Sequence, residues 1–203
     1  MAASAVAEAA EGNFMVNFYE QAELILSNAG GKKLLLHSCC APCSSSVLER
    51  LMPKIDATVF YYNPCIMPSE EYEHRLSEQK RLCSILNVPL IVGEYDNENY
   101  KNFIFGLENA PEGGDRCKKC FYMRLRATAE LAKKEGFDYF CTTLTVSPHK
   151  NAELINAIGE EIAAEVGIDF LPSDFKKKNG YLRSIELSKE YGIYRQGYCG
   201  CRF

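Results

Sequence analysis

The stretch Leu34-Leu35-Leu36-His37-Ser38-Cys39-Cys40-Ala41-Pro42-Cys43 constrains the fold of this chain more than any other. A short apolar run of this kind reads as a strand buried on both faces, which is the habit of parallel sheets. Pro42 suits a first helical turn, and the small residues through Ser46 permit a close turn ahead of Val47-Leu48. Three thiols therefore fall where a strand hands over to a helix. Open α/β sheets bind ligands at the carboxyl ends of their strands, and a helix N-terminus lowers a thiol pKa, so the place favours metal or redox chemistry.

The remaining pattern alternates in the same way. Apolar residues at Phe14, Phe18, Ala22 and Ile25 predict an amphipathic helix over 14–27, stopped by Asn28-Ala29-Gly30-Gly31. Helices are then expected over 44–52, 70–86, 99–107, 120–135, 151–166 and 182–191. Strands are expected over 57–62, 88–92, 138–142 and 169–171, with 109–115 a flexible loop, 144–150 closing a strand end and 176–180 a basic loop. The series predicts an α/β fold, Rossmann-like (HUP-like), with a parallel sheet, helices on both faces and a cysteine-rich metal site at the strand C-terminal ends. At 203 residues the chain needs only one core. Residues 1–31 read as an N-terminal extension and helix, and 32–203 as a single α/β domain that includes Cys199-Gly200-Cys201.

Met1 to Asn13 carries Glu8 and Glu11 without a basic start or a long apolar core, so it does not resemble a secretory signal. No apolar run approaches the ~20 residues that cross a bilayer. The cytoplasm is the expected location. There, ten cysteines read as metal ligands or redox groups rather than disulfides. A net charge of -4 argues against a generally basic, nucleic-acid-coating protein and leaves room for a local basic face.

Cys83 and Cys141 lie alone in apolar patterns and read as buried small residues. Most of the others form groups that each follow a turn: Cys39, Cys40 and Cys43; Cys117 and Cys120; Cys199 and Cys201. A C-x-x-C at a helix start can wrap two thiolates around one metal centre, and Arg116, Lys118 and Lys119 favour the ionised form. Consecutive side chains are expected to diverge, so Cys39 and Cys40 suit separate corners of an iron-sulfur cube better than one tetrahedral ion. With Cys117 and Cys120 they make four ligands, the complement of a 4Fe-4S cluster. Cys43, Cys199 and Cys201 are then in excess. The last two, with Gly200 between them, can hold a second metal, shuttle electrons as a dithiol, or form a zinc knuckle that only fixes the C-terminus. Cys65 is near enough to serve as an extra thiol but reads more readily as a packed loop residue. His37 could donate a proton but reads more readily as a hydrogen-bonded core group, and His149 and Asp115 read as acid groups only if they share the cleft.

These residues resemble the QueH-type epoxyqueuosine reductases of tRNA queuosine synthesis. The likeness rests on His37-Ser38-Cys39-Cys40-Ala41-Pro42-Cys43, Tyr62-Asn63-Pro64 with Glu71-Tyr72, and Arg116-Cys117 through Cys120. It continues through Thr142-Thr143-Leu144 with Ser147-Pro148 and Lys150, and Tyr194-Arg195-Gln196-Gly197-Tyr198-Cys199-Gly200-Cys201. The resemblance implies reductive removal of the epoxide oxygen of epoxyqueuosine at the tRNA wobble position. It implies a 4Fe-4S cluster on Cys39, Cys40, Cys117 and Cys120 and a working role for Cys199 and Cys201. Cys65 departs from the family pattern, where an Asn is expected, and position 43 is not always Cys, which suits Cys43 to a second site.

Epoxide-to-alkene conversion takes two electrons and two protons, whereas one cluster normally passes single electrons, so a second redox group is expected. That group is an additional mononuclear iron on Cys43, Cys199 and Cys201, or the Cys199/Cys201 dithiol. An external electron donor is also required. For the tRNA anticodon loop, the candidate phosphate contacts are Lys118, Lys119, Lys150, Lys176, Lys177, Lys178, Arg183 and Arg195. Tyr61, Tyr62, Tyr194 and Tyr198 are candidate stacking faces. Three rivals compete. Cys40-Ala41-Pro42-Cys43 fits a thioredoxin-like thiol-disulfide oxidoreductase, but Cys39 and the later pairs have no place in one. An ATP-using tRNA-thiolating enzyme would need a glycine-rich loop after the first strand, which Ser38 to Pro42 lacks. A zinc-binding RNA module without catalysis is the third.

Overall fold

The computed structural model describes residues 17–201. Five parallel strands form one sheet in the order β3-β2-β1-β4-β5. They are β1 (Lys33–Ser38), β2 (Asp56–Tyr61), β3 (Leu90–Val92), β4 (Tyr139–Thr142) and β5 (Asp169–Phe170). The helices are α1 (Phe18–Ser27), α2 (Ala41–Leu51), α3 (Ser69–Leu86), α4 (Asn97–Phe103), α5 (Asp115–Lys134), α6 (Ala152–Val166) and α7 (Gly180–Glu190). A 3-10 turn, Thr143–Val146, follows β4. The expected α/β architecture is therefore present. Among the described residues no helix is long and apolar enough to cross a membrane.

Strand β1 is central because its side chains are apolar on both faces. Leu34 and Leu36 pack into one layer with Ala22, Leu26, Val47, Leu48 and Leu51 from α1 and α2. Leu35 points the other way, into Phe121, Leu125 and Ala129 of α5 and Ile155 and Ile162 of α6. The two-residue period of the strand thus divides one run of leucines between two half-cores. All three are fully buried. Burial of each stabilises the fold by ~1.5–3 kcal/mol before chain entropy is subtracted.

Several boundaries differ from the sequence pattern. Helix α2 begins at Ala41 rather than Ser44, because Cys40 is the extended residue before it and Pro42 occupies its first turn. Helix α5 begins at Asp115 rather than Cys120, with the Cys117 and Lys118 N–H groups both bonded to the Gly114 carbonyl. Helix α4 starts at Asn97 because the Asp96 carboxylate accepts the Asn99 N–H at 2.9 Å. Phe14, expected on the first helical face, lies outside the described residues.

The strand order reverses between β1 and β4, so a crevice opens beyond their carboxyl ends. The far layer is closed by helix-on-strand contact tight enough to need glycine. A Cβ at Gly159 of α6 would lie 2.4 Å from the Phe170 ring of β5. Gly159→Ala is therefore expected to cost about 1–3 kcal/mol by overpacking, read as a lower urea midpoint.

Candidate metal and redox centre

The crevice holds the first three thiols. Ser38 ends β1, and its hydroxyl bonds Gln79 of α3 at 2.7 Å and Ser44 of α2 at 2.7 Å. That buried knot fixes the turn from strand to helix. Cys39 is held from the other side: its N–H donates to Thr143 Oγ1 at 3.1 Å, and the same hydroxyl donates to Cys39 Sγ at 3.3 Å. Because the chain turns at Cys40, the strand alternation that would part neighbouring side chains stops there. Cys39 and Cys40 Sγ lie 3.7 Å apart, and with Cys43 Sγ all three are within 4.8 Å of one another. The expected divergence of Cys39 and Cys40 is thus corrected, and this trio could hold a metal ion.

Helix α5 brings Cys117 and Cys120 to one face by their three-residue spacing. Cys117 Sγ accepts the Gly113 N–H at 3.2 Å. Cys120 is paired with Cys65, whose thiol donates to it and, together with the Arg124 guanidinium, pulls its pKa down to about 6. Cys65 is pushed well up by the same contact and by burial, so it stays the neutral donor. Sequence reasoning read Cys65 as loop packing. Only its position after Pro64 at a strand end, where the family pattern has Asn, hinted at more.

The C-terminal tail crosses the same opening. The Cys201 thiol, aided by Lys150 and Arg124, lowers the Cys199 pKa to about 5, while Cys201 itself is raised by that hydrogen bond and by burial. Cys39, Cys40, Cys43, Cys65 and Cys199 line a cavity of about 500 Å³. Cys117, Cys120, Cys199 and Cys201 line a smaller one of about 30 Å³ beside it. Cys199, Arg124 and Lys150 belong to both. The Arg124 side chain is 3% exposed, donating from Nε to the Cys120 carbonyl at 3.2 Å and from Nη1 to Asn63 Oδ1 at 3.4 Å. Asn63 in turn donates to the Ser38 carbonyl at 2.8 Å, tying the guanidinium to the end of β1. Burial alone would lower the pKa of both Arg124 and Lys150; the negative charge of neighbouring cysteines outweighs it and raises them, Cys120 for Arg124 and Cys199 with Cys39 for Lys150.

These shifts make a testable pattern in the metal-free protein. Cys39 is held well below the usual thiol range by donation from Cys40 and Cys43, whereas burial drives Cys141 up to about 12. Iodoacetamide at pH 7 is expected to label Cys199 and Cys39 first, and the Cys199 rate should fall as pH drops through about 5. Peptide mass spectrometry that found Cys141 labelled as fast as Cys199 would contradict it.

Other candidates sort clearly. Cys83 accepts from Gln79 Nε2 at 3.3 Å, and Cys141 donates to the Leu171 carbonyl at 3.2 Å; both sit in the apolar layer away from the cavity. His37 is fully buried. Its Nε2 faces the Tyr62 carbonyl at 3.1 Å and its Nδ1 the Thr142 hydroxyl at 2.9 Å, which also accepts the Leu144 N–H. That chain of donors leaves Nε2 protonated and Nδ1 accepting, and burial pushes the pKa down to about 3, so His37 is a structural neutral imidazole. His149 lines both cavities, whereas Asp115 lies exposed, paired with Lys118 at 3.0 Å. Of the aromatic candidates, Tyr61 is fully buried and offers no stacking face, and Tyr198 lines the larger cavity. Lys150 and Arg195 line it too. Arg183 is instead occupied by Glu49 at 2.6 Å and Glu186 at 3.0 Å.

Comparison with known proteins gives the family. The family model described as epoxyqueuosine reductase QueH matches residues 34–203. A curated epoxyqueuosine reductase QueH of Streptococcus pyogenes is 46% identical over 174 residues, which cover 83% of this chain and 68% of that protein. The protein of the same description from Staphylococcus epidermidis is 44% identical over 179 residues, covering 84% and 75%. That from Thermotoga maritima is 38% identical over 173 residues, covering 84% and 88%. With the cysteine-lined crevice at its strand ends, this chain belongs to the epoxyqueuosine reductase QueH family.

Proposed function

We propose that this protein reduces epoxyqueuosine to queuosine at the tRNA wobble position in the cytoplasm, with residues 32–203 as its catalytic domain. The observation that carries the reading is the gathering of Cys39, Cys40, Cys43, Cys65, Cys117, Cys120, Cys199 and Cys201 around two adjoining cavities at the sheet's switch point. The residues suit an iron-sulfur centre. The donors are soft thiols, and the buried Arg124 and half-buried Lys150 beside them match the net negative charge of a cysteine-ligated cluster. In this reading Cys39, Cys40, Cys117 and Cys120 hold a 4Fe-4S cluster, which supplies electrons one at a time from an external donor.

The overall change consumes two electrons and two protons, breaks both C–O bonds of the epoxide, and leaves an alkene and water. Oxidation of the Cys199/Cys201 dithiol to a disulfide would release two electrons and two protons, which balances it. Alternatively Cys43, Cys199 and Cys201 hold a further iron that polarises the epoxide oxygen. Lys150 and Arg195 are placed at the cavity to meet the anticodon phosphates, and Tyr198 to stack on a base. Lys118, Lys119, Lys176, Lys177 and Lys178 remain outer contacts of the same proposal.

Anaerobic purification with iron, sulfide and zinc analysis, followed by incubation with epoxyqueuosine-containing tRNA and a strong reductant, tests the reading. Nucleoside mass spectrometry should register loss of one oxygen. The 4.8 Å grouping of Cys39, Cys40 and Cys43 is the one observation that favours a single-ion module. Full zinc occupancy, a colourless protein and unchanged nucleoside would establish that alternative instead.

A further inference from the structure

The Cys199-Gly200-Cys201 segment has no secondary structure of its own, yet it lies across the cavity in one conformation. What holds it is one face of α3. Glu71, Arg75 and Glu78 recur at helical spacing, and Arg81 follows three residues on. Arg81 donates to the Tyr191 and Gly192 carbonyls at 2.7 and 2.8 Å, and the Glu78 carboxylate accepts the Tyr194 N–H at 2.7 Å. The track ends at Arg75, whose side chain is 3% exposed and whose Nη1 donates to the Cys199 carbonyl at 2.9 Å. Its Nε is fixed by Glu71 at 2.7 Å, and its guanidinium lies 5.0 Å from the centre of the Tyr198 ring.

The next carbonyl is pinned as well, since Gly200 O accepts the Met67 N–H at 2.9 Å. Two successive peptide groups are thereby oriented, which sets the directions in which Cys199 and Cys201 project. Gly200 has a φ of +103°, and a Cβ there would stand 3.1 Å from Arg75 Nη1, so the backbone approaches the guanidinium as closely as glycine alone permits.

We propose that Arg75 is a positioning residue for the reaction: it holds the Cys199-Gly200-Cys201 segment across the thiol cavity through its bond to the Cys199 carbonyl. The inference rests on the reading that the tail pair works in the reduction. Arg75 touches neither substrate nor reacting atoms in this role. Its energy is spent on fixing where the Cys199 and Cys201 sulfurs stand, and displacement of a reacting group by ~1 Å can cost on the order of 100-fold in rate.

The test uses the cluster-loaded full chain. In Arg75→Gln, alkylation of Cys199 and Cys201 by iodoacetamide should rise about tenfold or more while iron and sulfide content hold, and turnover should fall by about tenfold to 100-fold. Arg75→Lys, which retains a donor and the charge, should recover part of both. If Arg75→Gln does not fold, Glu71→Gln loosens the same guanidinium and should move labelling and turnover in the same directions to a smaller extent. Unchanged labelling and turnover in the folded variants overturns the proposal. Full turnover in Cys199→Ser and Cys201→Ser overturns the tail reading itself, an outcome distinct from a normal Arg75 variant beside dead cysteine variants.

Discussion

Cys120→Ser is expected to lose the cluster and reduce epoxyqueuosine turnover by more than ~100-fold, since even partners that only support a metal ligand are worth about 10- to 100-fold. The physical reason is ionisation. Cys120 is buried, yet the Cys65 thiol and the Arg124 guanidinium pull its pKa down to about 6, which favours the anionic sulfur. A serine hydroxyl in the same place stays protonated and offers iron no anionic donor. Cys65→Ser is the instructive contrast. Cys65 is the protonated partner of the pair, so its replacement should leave iron and sulfide content near the parent value. Equal iron loss in both variants would exchange their roles, and full iron in Cys120→Ser would remove Cys120 from the ligand set.

Arg124→Met should have the second largest effect, and its sign should depend on the metal. In a protein loaded with the proposed 4Fe-4S cluster, the negative charge of the centre would be permanent. Removing the buried cation that faces it leaves charge uncompensated, a loss of about 3–5 kcal/mol for a buried pair broken on one side. In the metal-free protein the thiols can take up protons instead, so most of that cost disappears. The expected result is rapid iron loss to a chelator at pH 7 with the Tm of the metal-free protein within a few degrees of the parent. An equal fall in Tm in both forms would show Arg124 to be simply a fold element, through its bonds to Asn63 and the Cys120 carbonyl.

Much of this arrangement can be read along the chain. The leucine run of β1 declares a strand buried on both sides, and Leu125, Ala129 and Ala132 at helical spacing are all fully buried in α5. Cys83 and Cys141, isolated in apolar patterns, pack as such patterns suggest. Several of the boundary errors fall at helix starts. Asp115 and Ala41 open their helices earlier than apolar periodicity indicates, because backbone bonding to Gly114 and the fixed φ of Pro42 set the first turn before the regular apolar spacing begins. Tyr61 illustrates a different limit: its aromatic pattern suits a stacking face and a core equally, and its place on β2 beneath α3 makes it core.

By itself, then, the order of residues determined the α/β class, the family, and the chemical character of the centre, because these depend on local periodicity and on which side chains are present. It could not pair Cys65 with Cys120, seat Arg124 and Lys150 among the thiols, or bring Arg75 to the carbonyl of Cys199, 124 residues away. Those relations exist only once parallel strands align their carboxyl ends. Crossover helices then carry distant segments to one rim, where burial turns the charge of each group into a condition on its neighbours.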